Sequence, residues 1–241
     1  MQYSTLLGLK FLLQCPKLLR LLSVDINSIE LLARLKDLHL LDGLGDWWWD
    51  GALGFEVVIG AILTQNTKWE KVKLSLTNLK NAGVLLADDN ASLHYLAKVD
   101  SIEHYIAPSG LYRQKSARII ALAQAIIEDF GDFASFQQGV SREWLLARKG
   151  IGFESADSIL NYACGREIMV VDSYSVRLLA AFGWEMESYE DVQRWFMAMP
   201  SRELENLYPT MPLAQIYARY HGKIVEFSKQ KLPIQVLMEK P

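Results

Sequence analysis

Apolar residues recur every three to four positions along most of the chain, the spacing that paints one face of an α-helix. Ile29, Leu32, Leu35 and Leu38 form one such face, and Val58, Ile59, Ile62 and Leu63 form another. Helical patterns continue from Leu74 to Lys80, Ser92 to Val99 and Ser116 to Phe130, and again between Tyr189 and Lys231, where Pro209 and Pro212 mark a loop. No stretch holds a period-two alternation for long, so the pattern predicts an all-α chain. The leucine-rich segment Leu6 to Val24 is broken by Lys10, Pro16, Lys17 and Arg20 and is followed by no small-residue cleavage site. It reads as an amphipathic helical extension over residues 1–25 rather than a signal or membrane helix.

The densest punctuation lies between Arg142 and Trp184. A helical pattern with Trp144, Leu145 and Leu146 stops at Gly150-Ile151-Gly152, and a second begins at once with Ala156, Ile159, Leu160 and Ala163. This is a helix-hairpin-helix at about 141–165. Its glycines permit the reversal and leave backbone N–H groups open to an anion such as a phosphate. Gly165 ends the second helix, Ile168 to Val171 makes a short buried connection, and Asp172-Ser173 opens a helix running to Gly183. Each piece has an ordinary reading: a G-x-G most often just closes a turn, and an Asp before a helix is most often its N-cap.

Other stretches carry unusual residue types. Trp47-Trp48-Trp49 cannot all face one core, because neighbours on a helix point about 100° apart and on a strand to opposite sides. At least one ring is therefore expected at a surface or cleft, where a flat base could stack. After the apolar helix from Phe55, Gln65-Asn66-Thr67 bring amides and a hydroxyl just before Trp69. Pro108-Ser109-Gly110-Leu111 precedes a helix start that gathers Arg113, Lys115 and Arg118, either a solvated basic turn or a phosphate-positioning cluster.

Composition narrows the picture without deciding it. The chain has 241 residues, half of them hydrophobic, enough for one large core or two small ones. A net charge of −3 excludes a generally basic coat and confines any nucleic-acid site to a local surface. The cysteines are Cys15 and Cys164 alone, which provides neither a disulfide framework nor a four-cysteine ligand set, and fits a reducing cytoplasm. No metal site is expected.

In combination, Gly150, Gly152, Val171, Asp172 and Ser173, with Arg177 further on, resemble the hairpin and catalytic-aspartate segment of the endonuclease III superfamily of DNA glycosylases. The WWW run, LTQNTKWE, KGIGFESAD and the ending from His221-Gly222-Lys223 to Lys231 are similar to the 3-methyladenine DNA glycosylase III branch, over roughly Ile29 to Leu232. The resemblance implies that Asp172 is catalytic, stabilising the cationic sugar and directing water. It also implies that Gln65 fills the gap left by a flipped nucleotide, and that Gly150, Ile151, Gly152 and Ser155 hold the phosphate backbone. Trp48, Trp49 and Trp69 would stack on the base, and Lys229 would close the pocket. The partner would be double-stranded DNA containing alkylated bases, acted on by a monomer with no iron–sulfur cluster. A monovalent cation at the hairpin carbonyls is a further implication.

Bifunctional members of the superfamily carry a lysine two residues beyond the second hairpin glycine, whose amine attacks the sugar C1′. Glu154 stands there in this chain. It suits the first turn of a helix electrostatically but cannot form an imine. The expected activity is therefore a monofunctional glycosylase that leaves an abasic site. Two alternatives stay open: a bifunctional enzyme acting on oxidised pyrimidines through another amine, and a non-catalytic hairpin module that binds DNA. The expected architecture is two helical subdomains flanking a DNA-binding cleft, one built from 51–164 and the other from 26–50 with 165–241.

Overall fold

The computed structural model describes residues 26–238; the extension expected for residues 1–25 lies outside them. Every regular element among the described residues is helical. The chain divides into two compact units. One comprises Gly43–Val170 with Met211–Arg219, and the other residues 26–42, Val171–Thr210 and residues 220–238. Where the sequence suggested a central segment of 51–164, the contacts gather a longer one and add Met211–Arg219 to it. Hydrogen bonds explain the addition: Asn161 Nδ2 donates to the Ala214 carbonyl (2.9 Å), and Gln215 Nε2 donates to that of Asp46 (3.0 Å).

The short helix α1 (Ser28–Asp37) opens in a capping box in which Asn27 and Glu30 bond each other's backbone N–H groups. In the larger unit α2 (Phe55–Leu63) is the central rod, with every residue but Glu56 buried. A helix apolar on all sides must be covered on all sides. It is surrounded by α3 (Trp69–Asn81), α4 (Asp89–Leu96) and, after the single turn α5 (Glu103–Ile106), by α6 (Tyr112–Phe130). Gly54 offers no side chain to cap α2, and Asp89 Oδ1 accepts from the Phe55 N–H instead (2.9 Å). Next come α7 (Phe133–Gly139), capped by Asp132, and α8 (Arg142–Leu146), capped by Ser141. The hairpin turns the chain into α9 (Phe153–Ser158), which widens into a π turn over Ile159–Ala163 that packs on α2.

In the second unit Asp172 caps α10 (Ser173–Ala181), followed by α11 (Tyr189–Met197) and α12 (Ser201–Leu207), both packed on α1. The long α13 (Leu213–Lys229) contributes its first turns to the larger unit and its remainder to this one. Tyr220, fully buried, donates its hydroxyl to the Ser28 carbonyl (2.8 Å), and Ser28 donates to that of Phe196 (2.6 Å), so one polar chain joins α13, α1 and α11. A 3₁₀ turn at Ile234–Leu237, not expected from the sequence, also packs on α1. No helix among the described residues is long and apolar enough to cross a membrane.

Candidate functional site

The hairpin loop is gripped by an amide. Gln65, at the frayed end of α2, donates through Nε2 to the Gly150 carbonyl (2.9 Å) and to Ser155 Oγ (2.9 Å), and its Oε1 accepts from Arg118 (2.8 Å). The sequence separately nominated Gln65, Gly150, Gly152 and Ser155, and the fold brings them together. Gln65, Gly152 and Ser155, with Thr64, Asn66 and Glu154, line one cavity of about 300 Å³. Gly150 sits at φ +82 with the Arg118 side chain where a Cβ would project, so both backbone and space require glycine. The first intrahelical bond of α9 runs from the Ala156 N–H to the Gly152 carbonyl (2.9 Å). Ile151 is buried and anchors the loop by packing, with no side chain offered to a ligand. Ser155 is buried too and its hydroxyl is engaged by Gln65, so any phosphate contact falls to backbone N–H groups rather than to that hydroxyl.

The basic cluster at the start of α6 does not form one patch. Lys115 is fully buried and donates to the Leu63 carbonyl (2.8 Å), Thr67 Oγ1 (2.6 Å) and the Ser109 carbonyl (2.8 Å). An ammonium has three N–H donors and all are spent, which corrects its reading as a phosphate ligand. Burial, with a smaller push from the Arg118 charge, brings its pKa down to about 8. Lys115 and Thr67 thereby lash the Gln65 loop to the Pro108–Gly110 turn, Thr67 Oγ1 also donating to the Ser109 carbonyl (2.6 Å). Leu111 follows that turn at φ +46 and is 56% exposed, a left-handed backbone and a wet leucine at one position. Sequence patterning missed it because a lone exposed leucine is ordinary.

All three tryptophans of the run are half-buried against the same core, which helical or strand geometry forbids. The chain escapes that constraint because Trp48 is left-handed (φ 64) within a turn. Trp49 meets Trp69 edge-on (centroids 5.3 Å, 78°), and both Trp48 and Trp49 lie against Tyr162 (6.2 and 5.0 Å). Gly60 admits the Trp49 ring onto α2, since a Cβ there would meet it at 3.1 Å. Tyr162, carried by the π turn, completes this aromatic set and was not singled out in the sequence, where it reads as one more core residue.

Asp172, in the other unit, uses its two oxygens differently. Oδ1 accepts from the Tyr174 and Ser175 N–H groups (2.9 Å each) and from Ser175 Oγ (3.2 Å), which is N-cap work. Oδ2 lies 3.5 Å from His221 Nε2, and the two side chains are 13% and 7% exposed. Burial alone would raise the carboxyl's pKa, but His221 and the Ser175 groups outweigh it and hold it below the usual aspartate value. Lys229 ends α13 with its ammonium 3.1 Å from Glu226 Oε1.

These features meet their match in known proteins. Residues 59–199 match the HhH-GPD superfamily of base excision DNA repair proteins. The chain belongs to that superfamily. An inferred DNA repair glycosylase of Methanocaldococcus jannaschii is 33% identical over 212 residues, covering 85% of this chain and 90% of its own. The structure of H. pylori 3-methyladenine DNA glycosylase (MagIII) bound to 1,N6-ethenoadenine superposes with a TM-score of 0.84 at 50% identity, over 86% of this chain and 100% of that one. A trapped covalent intermediate of endonuclease III with DNA shares the fold, with a TM-score of 0.58 at 19% identity over 81% and 82% of the two chains.

Two cysteines do not fit a four-cysteine cluster, and burial pushes the Cys164 thiol up to about 12. No group of three or more His, Cys, Asp or Glu among the described residues is placed to bind a metal ion. At the hairpin the Arg148 and Gly150 carbonyls already accept from the Ile151 N–H (3.2 Å) and from Gln65.

Proposed function

We propose that this protein is a monofunctional DNA glycosylase that extrudes alkylated purine nucleotides such as 3-methyladenine from duplex DNA and hydrolyses the N-glycosidic bond. The observation that carries the reading is Asp172, a nearly buried carboxylate held ionised with only one oxygen committed to capping. As the bond to the base breaks, positive charge develops at C1′, and Oδ2 stabilises it. Water adds its oxygen to C1′ and gives up a proton, while the base leaves with the bonding pair. A purine alkylated at a ring nitrogen is already cationic, so that pair neutralises it and no dedicated general acid is needed.

The same cationic character suits the aromatic set. Indole faces attract a flat cation by about 0.5 to 2 kcal/mol depending on desolvation, which favours Trp48, Trp49 and Trp69 as base-stacking walls. Glu226 beside Lys229 offsets an ammonium that would otherwise repel such a base. Gln65 fills the vacated duplex by exchanging its bonds with Gly150, Ser155 and Arg118 for bonds to DNA, and the exposed Leu111 offers a second, apolar wedge. The backbone N–H groups at the start of α9 take a phosphate.

A lyase step needs an amine at C1′, and Glu154 does not supply one. Lys115, the lysine with the lowered pKa, is no substitute because it is fully buried with its donors spent. The test is incubation of the protein with methylated duplex DNA, scoring free base and strand nicks separately, for the native chain and Asp172→Asn. Free 3-methyladenine without nicks, lost in the variant, is the expected result. Nicking with release would mean that another amine acts, and DNA binding without release would reduce the protein to a binding module.

A further inference from the structure

We infer that His221 is a positioning residue for Asp172: it holds the Oδ2 edge of the carboxylate in the orientation that faces the sugar. The inference rests on the glycosylase reading and goes beyond it, because the hairpin and aspartate motifs say nothing about this histidine.

The geometry leaves His221 a defined task. Three donors from Tyr174 and Ser175 converge on Oδ1, all of them belonging to the first turn of α10. They act on one edge of the carboxylate only; because both oxygens turn together about the Cβ–Cγ bond, a partner on Oδ2 fixes that torsion from the opposite edge. The group against Oδ2 is the His221 ring, 3.5 Å away, on α13, whose second half packs in the same unit. With a proton on Nε2 the ring donates toward Oδ2, and when doubly protonated it also supplies the opposite charge. Both partners are almost wholly buried, so water does not replace this contact cheaply. A stiff ring on a stable helix holds the carboxylate at fixed orientation, which is the preorganisation that electrostatic stabilisation of a developing cation requires.

Position rather than packing is the distinguishing claim, and side chains of graded chemistry separate the two. His221→Gln keeps a donor at nearly the Nε2 position, His221→Phe keeps the ring without a donor, and His221→Ala opens a space that imidazole fills. Base release is measured in single turnover on the full chain with methylated duplex DNA at saturation, alongside DNA affinity. The Ala and Phe variants are expected to release base about 10- to 100-fold more slowly, as for a lost hydrogen bond to a charged group, with unchanged affinity. Gln retains most of the rate, and imidazole restores the Ala variant saturably while leaving Phe and Asp172→Asn unmoved.

Native-rate release by His221→Ala overturns the inference, and so does a slow Ala variant that neither imidazole nor the Gln replacement recovers. If the native protein itself releases no base, the glycosylase reading has failed instead. His221 is then judged by the carboxyl-carbon NMR titration of Asp172, which must move to higher pH in His221→Ala; an unmoved titration refutes the pairing.

Discussion

Two aspartates fifteen residues apart, Asp157 and Asp172, are both carried into the interior, and they are treated in opposite ways. Asp157 is fully buried in the hairpin region, and Arg142 grips both its oxygens, Nε to Oδ1 at 2.7 Å and a terminal nitrogen to Oδ2 at 2.9 Å. That bidentate clasp joins α8 to α9 and engages both carboxylate oxygens with one guanidinium. Asp172 has one oxygen saturated by backbone and hydroxyl donors and the other facing a histidine at 3.5 Å. A buried carboxylate must be compensated, but how it is compensated decides whether it can still act. Full pairing makes a structural clasp, and a divided carboxylate keeps one edge for chemistry.

The comparison makes its strongest demand on Asp172→Asn. The amide still caps α10, so the protein should stay folded with a thermal midpoint only modestly below the native one, while base release falls about 10²- to 10⁴-fold. Equal rates in the two proteins would erase the distinction between the aspartates. Asp157→Asn should do the reverse. Leaving Arg142, 23% exposed, against a neutral amide costs up to about 3 kcal/mol in a denaturant melt, and the molecules that remain folded should release base at the native rate.

Smaller changes sharpen the contrast. Gly150→Ala forces a left-handed alanine and displaces Arg118, so a loss of about 1 to 2 kcal/mol and weaker DNA binding are expected from melts and titrations. For pH, the Asp172 carboxyl is held below its ordinary value, so its contribution to stability is complete above about pH 3.9 and disappears as the pH falls through the lower folded value. Melting the native protein against Asp172→Asn across that range should show the excess stability fade only on the acid side. Lys115 has the opposite sign. Its pKa is lowered to about 8, so between that value and about 10.4 the unfolded chain binds more protons and stability should rise with pH. That alkaline slope should vanish in Lys115→Met, and its persistence would locate the titrating group elsewhere.

Residues whose role follows from the local backbone were legible in the sequence. Gly150 is glycine because the turn is left-handed, and Asp172 precedes a helix because a carboxylate caps it. Helical periodicity predicted the all-α class because burial on one face of a helix imposes that spacing whatever covers it. Lys115 was misassigned for a related reason. Beside Arg113 and Arg118 it looks like surface charge, and only the arrival of the Leu63 and Ser109 carbonyls and the Thr67 hydroxyl makes burial affordable.

What the sequence determined by itself was therefore the helices, the hairpin and the family-like spacing of Asp172 from it, since these depend on residues within a few turns of one another. The tertiary structure decided how the side chains are spent: Gln65 on the hairpin, Tyr162 on Trp48 and Trp49, and His221 on Asp172. Most of those pairings bridge large sequence separations. No local periodicity encodes them, because hydrogen bonds and ring contacts reach only a few ångströms and depend on where packing delivers each side chain.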